Sequence, residues 1–110
     1  MKRRPAVLVL EDNPHEATLA EAALLFAGAQ VVSSPEEAAL AVLGRKALAE
    51  YIGGKLKIPA VAIVPQLSEE ERERALAAGV RAVYERPASW QRYTALVGRM
   101  LAECLPTRKD

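Results

Sequence analysis

The chain has 110 residues, which suits a single domain over residues 1–110 and is too short for a second. About half of the residues are hydrophobic (51%) and Cys104 is the only cysteine, so the core must form without an internal disulfide. The net charge of +1 gives no reason to expect a nucleic-acid partner. No apolar run is long enough to span a membrane and no signal-peptide cleavage site follows the start, so we expect a cytoplasmic protein.

Continuous apolar runs rich in branched residues predict the strands. Ala6–Leu10 and Ala60–Val64 are apolar at every position, as in strands of a parallel sheet that are covered on both faces. The shorter runs at 30–32 and 82–84 predict edge strands.

Helix-start patterns lie between these runs. Asp12 or Asn13 can cap a first helix that has Pro14 at its first position, with Leu19, Ala22 and Phe26 on its apolar face. The segment 34–37 forms a capping box and predicts a second helix from Pro35 towards Gly53, either continuous or broken at Gly44.

Two further helices are predicted in the second half of the chain. Residues 68–71 form another capping box, and that helix ends at Gly79. Ser89 begins the last helix, whose apolar stripe consists of Trp90, Tyr93, Val97, Met100 and Cys104. This alternation of strands and helices predicts an α/β domain with a parallel sheet and helices on both faces.

The order and spacing of several segments resemble the receiver domain of response regulators. Residues 7–14 resemble its first strand with the acidic pair, and residues 58–64 resemble its fourth strand. Residues 72–79 resemble the end of its fourth helix, and Arg86-Pro87 stands where the family has Lys-Pro. The resemblance implies a doubly wound, flavodoxin-like fold and a role in two-component signal transduction.

One block of the family pattern is not found. A receiver has a third strand that ends in the aspartate that accepts phosphate, whereas here the predicted helix over 35–53 leads directly into Ile58. The only aspartates are Asp12, which belongs to the opening pair, and Asp110 at the end. We therefore expect a four-stranded pseudo-receiver that lacks both the third strand and the phosphoacceptor.

By the same resemblance, other phosphorylation positions have changed. Val64 replaces the hydroxyl residue that contacts the phosphoryl group, and a methyl group cannot donate a hydrogen bond. Val83 stands at the aromatic switch position, and Tyr84 is one residue later, on the other face of the strand. Arg86 replaces the lysine and keeps its charge but not its shape. The positions that survive are Glu11, Asp12 and Pro87.

The resemblance implies a Mg²⁺ site at Glu11 and Asp12. Without the phosphoacceptor we expect this remnant pair to bind Mg²⁺ weakly or not at all, and no other cofactor is expected. We favour the alternative that Asp12 caps the first helix while Arg86 is the counter-charge to both carboxylates.

Three residue types that often carry chemistry have plainer explanations here. His15, the only histidine, is expected to be an exposed helix residue. Cys104 is expected to behave as a small buried hydrophobic residue. Trp90 and Tyr93 are either core residues or, with Tyr84, part of an aromatic interface, and the sequence favours neither.

These features predict a signalling module that is not phosphorylated, has no catalytic residue and acts by binding another signalling protein. The family's fourth helix, fifth strand and fifth helix are the expected contact surface, which could also form a homodimer. The alternative is a small metal-dependent sensor or enzyme using Glu11, Asp12 and Arg86, although no nucleophile–base pair or glycine-rich phosphate loop accompanies them. The chain could also be a fragment that once carried an output domain.

Overall fold

The computed structural model describes residues 4–104 of the chain. Strands and helices alternate through most of its length. In chain order the elements are β1 (Ala6–Leu10), α1 (Pro14–Phe26), β2 (Gln30–Val32), a 3₁₀ turn (Pro35–Glu37), β3 (Leu40–Leu43), α2 (Arg45–Ile52), β4 (Ala60–Val64), α3 (Glu69–Ala77), β5 (Val83–Glu85) and α4 (Trp90–Cys104).

The five strands form one parallel sheet in the order β2-β1-β3-β4-β5. One hydrophobic core packs α1 and α4 against the sheet, and the other packs α2 and α3 against the opposite face. The predicted doubly wound α/β fold is confirmed, and so are the two edge strands, β2 and β5. None of the helices within residues 4–104 has the length and apolar composition that crossing a bilayer requires.

The prediction of four strands and a missing third strand was wrong. Leu40–Leu43 forms β3, which pairs with β1 on one side and β4 on the other. All four of its residues are buried, so the run has no alternation of apolar and polar residues that would distinguish a strand from a helix. Leu40 and Leu43 contribute to opposite cores, although a spacing of three residues is also compatible with one face of a helix.

The predicted helix from Pro35 to Gly53 was wrong in its first half, whereas its second half, after a break at Gly44, was correct. Its first residues form only the 3₁₀ turn, and a helix, α2, begins after Gly44. Strands and helices would alternate strictly if a helix lay between β2 and β3. Instead, residues 33–39 connect these two strands with only the 3₁₀ turn. This connection is shorter than the dozen or more residues that usually join parallel strands.

The other helix-start predictions were confirmed. Asn13 is the cap of α1, where its side-chain oxygen accepts hydrogen bonds from the backbone N–H groups of His15 (2.9 Å) and Glu16 (3.2 Å). Ser68 and Glu71 form the predicted capping box of α3. Ser89 Oγ accepts the backbone N–H of Arg92 at the start of α4 (3.2 Å).

The buried face of α1 was predicted correctly only at Leu19, which is partly buried against the core. Its buried residues are Ala20, Ala23 and Leu24, whereas Ala22 and Phe26 are exposed. Apolar residues occur on all sides of this helix, so their spacing alone does not identify the buried side.

Candidate functional site at the carboxyl edge of the sheet

The carboxyl ends of the central strands meet at one edge of the sheet, where ligands commonly bind in parallel α/β folds. Glu11 follows β1, Gly44 follows β3, Val64 ends β4 and Arg86 follows β5. Backbone hydrogen bonds tie these ends together: Gly44 N–H donates to the carbonyl of Leu10, and Arg86 N–H donates to that of Val64, each at 2.8 Å. The sheet thus brings together most of the residues that the sequence had singled out.

Glu11 fills the space beside the end of β3. A Cβ atom added to Gly44 would lie within 2.9 Å of the Glu11 carboxyl carbon and both of its oxygens. Gly44 has a φ of −80°, which any residue can adopt, so a larger residue here is opposed by the Glu11 carboxyl group, which would have to move and give up its hydrogen bond to Asn13, and not by the backbone. The strand therefore ends in Leu43 and Gly44, and neither residue carries a carboxylate.

The surroundings of Glu11 shift the pKa of its carboxyl group. Burial raises the pKa of Glu11 above its ordinary value, and the neighbouring Asp12 raises it further. The backbone N–H of Asn13 donates to Glu11 Oε2 (3.0 Å) and acts in the opposite direction. Asp12 itself is exposed, and Asn13 has taken the capping role that the sequence left open between them.

The residues at this edge do not fit a Mg²⁺ site. Mg²⁺ needs an octahedral set of oxygen ligands, whereas one of the two carboxylates, Glu11, is packed against Gly44 and bonded to the backbone. The cavity next to it, lined by Glu16 and Tyr93 among others, has a volume of about 10 Å³, near the lower limit for one water molecule. Across residues 4–104, no group of three or more His, Cys, Asp or Glu side chains is placed to hold a metal ion.

Arg86 pairs with Glu16, and the expected pairing with Glu11 and Asp12 is wrong. Its Nε lies 2.8 Å from Glu16 Oε1, and both side chains are largely buried (30% and 18% exposed). The two groups meet as an ion pair without an aligned hydrogen bond from Nε, while Nη1 donates a long hydrogen bond to the carbonyl of Pro87 (3.5 Å). Glu16 lies in the first turn of α1, where a negative charge also interacts favourably with the helix dipole.

Neighbouring side chains of β5 point to opposite faces of the sheet, as expected for a strand. Val83 packs into the core under α2 and α3, together with Val64, and both are buried. Tyr84 packs on the opposite core, where its hydroxyl lies 3.6 Å from Cys104 Sγ. The predicted opposite orientation of Val83 and Tyr84 is confirmed, and so is the burial of Cys104.

The three aromatic interface candidates do not form one surface. Tyr93 is buried in the core (3% exposed), which corrects its assignment as an interface candidate. Trp90 is 44% exposed and its ring meets that of Phe26 edge to face, with centroids 6.3 Å apart. Tyr84 instead lines a groove between α3 and α4 that also includes Pro87. His15 is exposed on α1, as expected.

Sequence reasoning missed Gly44 and Glu16. Gly44 directly follows an apolar run, which is a recognisable pattern for the end of a strand. The capping box at 34–37 led instead to the prediction of a helix through this run. Nothing in the spacing of the sequence identifies Glu16 as the partner of Arg86, because the two residues are 70 positions apart and belong to different elements.

Comparison with solved structures identifies the fold as that of response-regulator receiver domains. The phosphorylated phytochrome response regulator of a cyanobacterium superposes with a TM-score of 0.70 and 17% identity, over 96% of this chain and all of that one. An orphan response regulator of H. pylori gives 0.68 and 23% identity over 93% and 99%. A receiver domain of Methanospirillum hungatei gives 0.68 and 18% identity over 92% and 96%. No protein-family model matches the sequence, and no curated protein is similar to it.

Proposed function

We propose that this chain is a signalling module of receiver fold that acts by binding another protein and is not phosphorylated. The observation that carries the proposal is the end of β3, where Leu43 and Gly44 provide no acceptor. The carboxyl group of Glu11 fills the space that an acceptor side chain at Gly44 would need. A module of this kind belongs in the cytoplasm with its signalling partners.

The neighbouring residues support the same proposal. Val64 and Val83 are buried and cannot donate a hydrogen bond to a phosphoryl group. Arg86, at the position where receivers have lysine, is engaged in an ion pair with Glu16. The chemical groups that would bind, stabilise and sense a phosphoryl group are thus replaced or otherwise engaged.

We do not propose an enzyme. The alternative of a metal-dependent sensor or enzyme needed Glu11, Asp12 and Arg86 to act as one cluster. Arg86 lies against Glu16, and Asp12 is exposed. Of the two carboxylates, only Glu11 is partly buried, and no general base or nucleophile is assigned next to it.

The proposed contact surface is the one formed by α3, β5 and α4, which correspond to the family's fourth helix, fifth strand and fifth helix. It contains a groove of about 620 Å³. A homodimer through this surface is the second candidate. It is less favoured because Arg72, Arg81, Arg92 and Arg99 line the groove on each copy, against a single carboxylate among the described lining residues, Glu85.

Treatment with acetyl phosphate and Mg²⁺, followed by intact-mass analysis, tests the absence of phosphorylation. We expect no hydroxylamine-sensitive mass gain under conditions that fully modify an ordinary receiver domain used as control. A stoichiometric acyl phosphate on the wild-type chain would contradict the proposal.

Affinity capture from the organism that encodes the chain tests the interaction. The wild-type chain is compared with the variant Ala95→Asp, which introduces a charge into the middle of the groove. We expect a partner that is retained by the first and lost by the second, with both variants equally folded. Equal capture by the two would exclude this surface.

A further inference from the structure

The groove between α3 and α4 combines an apolar floor with a cationic rim. Leu76 on α3 is 44% exposed and Ala95 on α4 is exposed as well, whereas Leu96, which also lines the groove, is buried (8% exposed). Between the helices, Tyr84 contributes part of the floor from β5. Exposed apolar side chains enclosed by polar ones are typical of a surface that binds another protein.

Four arginines surround this floor, although the whole chain carries a net charge of only +1. On α4, Arg92, Ala95, Leu96 and Arg99 are spaced as i, i+3, i+4 and i+7, so they form one stripe along the groove. Two helical turns separate Arg92 from Arg99, which corresponds to roughly 10 Å along the axis. Within residues 4–104, neither of these two side chains makes an ion pair.

Arg72 determines how a partner can approach the edge of the sheet. Its Nη1 donates a hydrogen bond to the carbonyl of Val83 (3.0 Å), which is a backbone acceptor of the edge strand β5. A partner strand that paired with β5 would compete with this bond, so strand addition is disfavoured. The available space lies along the two helices and above the strand.

We propose that this groove binds an acidic amphipathic helix of a partner protein, whose apolar face covers Leu76 and Ala95 while its carboxylates pair with Arg92 and Arg99. The proposal rests on the proposed function and specifies the partner's chemistry. Guanidinium groups bind carboxylates through two parallel hydrogen bonds, and the apolar floor supplies the complementary contact for leucine-type side chains.

Two other occupants fit the groove less well. A second copy of the chain would bring the same arginine rim to its own counterpart, which like-charge repulsion opposes. A nucleic acid would require a wider basic surface, whereas this rim encloses an apolar floor on a chain close to neutrality.

The test uses a synthetic helical peptide with two glutamates seven residues apart and leucines between them, and a matched peptide with glutamine in place of both glutamates. Binding is measured by fluorescence anisotropy and mapped by amide chemical shifts. We expect the glutamate peptide to perturb residues of α3, β5 and α4. Replacement by glutamine, or the protein variant Arg92→Glu/Arg99→Glu, should weaken binding about tenfold or more, and so should added salt.

Arg74→Glu is the matched control, since Arg74 lies on the side of α3 that faces α2 and is not part of the groove. This variant should bind the glutamate peptide as well as the wild type does. Equal affinity for the two peptides, unchanged binding by the double variant, tighter binding of a single-stranded oligouridylate, or no binding at millimolar peptide would each overturn the proposal.

These outcomes are distinct from failure of the proposed function. Acetyl-phosphate labelling would contradict the signalling proposal whatever the peptides do. A partner captured through the groove, but with affinity independent of Arg92 and Arg99, would leave the protein-binding role standing and exclude the acidic helix. Concentration-dependent dimers seen in sedimentation, and lost in Arg92→Glu/Arg99→Glu, would identify a second copy as the occupant.

Discussion

Arg86 Nε lies 2.8 Å from Glu16 Oε1, so an ion pair joins the residue after β5 to the first turn of α1. Because α1 and α4 share one core and Arg86 is four residues before α4, the pair fixes how the chain leaves the sheet on that side. Glu16 is only 18% exposed, which means that it depends on this partner for its charge to be compensated.

Arg86→Ala should lower the free energy of unfolding by about 1–2 kcal/mol, between the values typical of exposed and fully buried pairs. Arg86→Lys should retain most of the stability, because the pair lacks an aligned hydrogen bond from Nε that a lysine would lose. Urea denaturation of these variants and of Arg86→Ala/Glu16→Gln measures the effect. The double variant should be more stable than Arg86→Ala alone, and an Arg86→Ala protein as stable as the parent would contradict this account.

Gly44→Ala should destabilise the fold by about 1–3 kcal/mol, because the new methyl group overlaps the Glu11 carboxyl. Combining it with Glu11→Ala should recover much of that loss, a non-additivity expected of residues in contact. Thermal and urea unfolding of the single and double variants provide the measurement.

Gly98→Ala is the matched control for this experiment. Gly98 lies within α4, and an added Cβ meets no atom within 4 Å. Alanine should stabilise the helix there by roughly 0.5–1 kcal/mol, since glycine is the poorer helix former. If Gly44→Ala stabilised the fold as Gly98→Ala is expected to do, the steric explanation for Gly44 would be wrong.

The stability of the protein should fall at alkaline pH as its buried tyrosine ionises. Burial raises the pKa of Tyr93 from 10.0 to about 12, so the folded state holds this proton more tightly than the unfolded state does. The resulting stabilisation is complete below pH 10 and is lost as the pH rises from 10 to about 12, with a slope of at most about 1.4 kcal/mol per pH unit for one group. Tyr93→Phe should flatten this part of the curve of unfolding free energy against pH. An unchanged slope in that variant would assign the alkaline transition to other groups.

Millimolar Mg²⁺ should raise the melting temperature by less than about 2 °C, which corresponds to well under 1 kcal/mol for a domain of this size. The reason is that Glu11 is packed against Gly44 and accepts the backbone N–H of Asn13, so Asp12 is the exposed carboxylate of the pair. Asp12→Ala is the control and should behave like the parent with and without the ion. A large stabilisation by Mg²⁺ that disappears in Asp12→Ala would mean that the acidic pair binds metal.

Local sequence patterns correctly predicted the elements whose pattern is typical of one type of secondary structure only. Ala6–Leu10 and Ala60–Val64 are uniformly apolar because both faces are covered, and Ser68 with Glu71 specifies a helix start through two reciprocal hydrogen bonds. In contrast, Leu40–Leu43 was misassigned because a central strand and a buried helix present the same run of apolar residues.

The sequence predicted several of the residues at the site but not which residues they contact, and the reason is different. Strand ends could be placed at one edge of the sheet from the alternation alone, which brought Glu11 and Arg86 into the same region. Which side chains they contact depends on the distances between neighbouring strands and helices, and the sequence spacing does not give these distances. Arg86 therefore pairs with Glu16 in the first turn of α1, and Glu11 packs against Gly44, which follows the strand that the sequence analysis had not predicted.

The short connection between β2 and β3 has a consequence for the order in which the chain folds. Residues 33–39 join two strands that flank β1, so the pairings among β1, β2 and β3 all form within the first 43 residues. Each halving of a loop lowers the entropic cost of closing it by about 0.6 kcal/mol, and contacts between nearby residues form faster than distant ones. The short connection therefore keeps the paired residues of β1 and β3 only 33 positions apart, close to the 19 and 21 positions that separate the partners in β3–β4 and β4–β5, so no part of the sheet has a marked lead in folding.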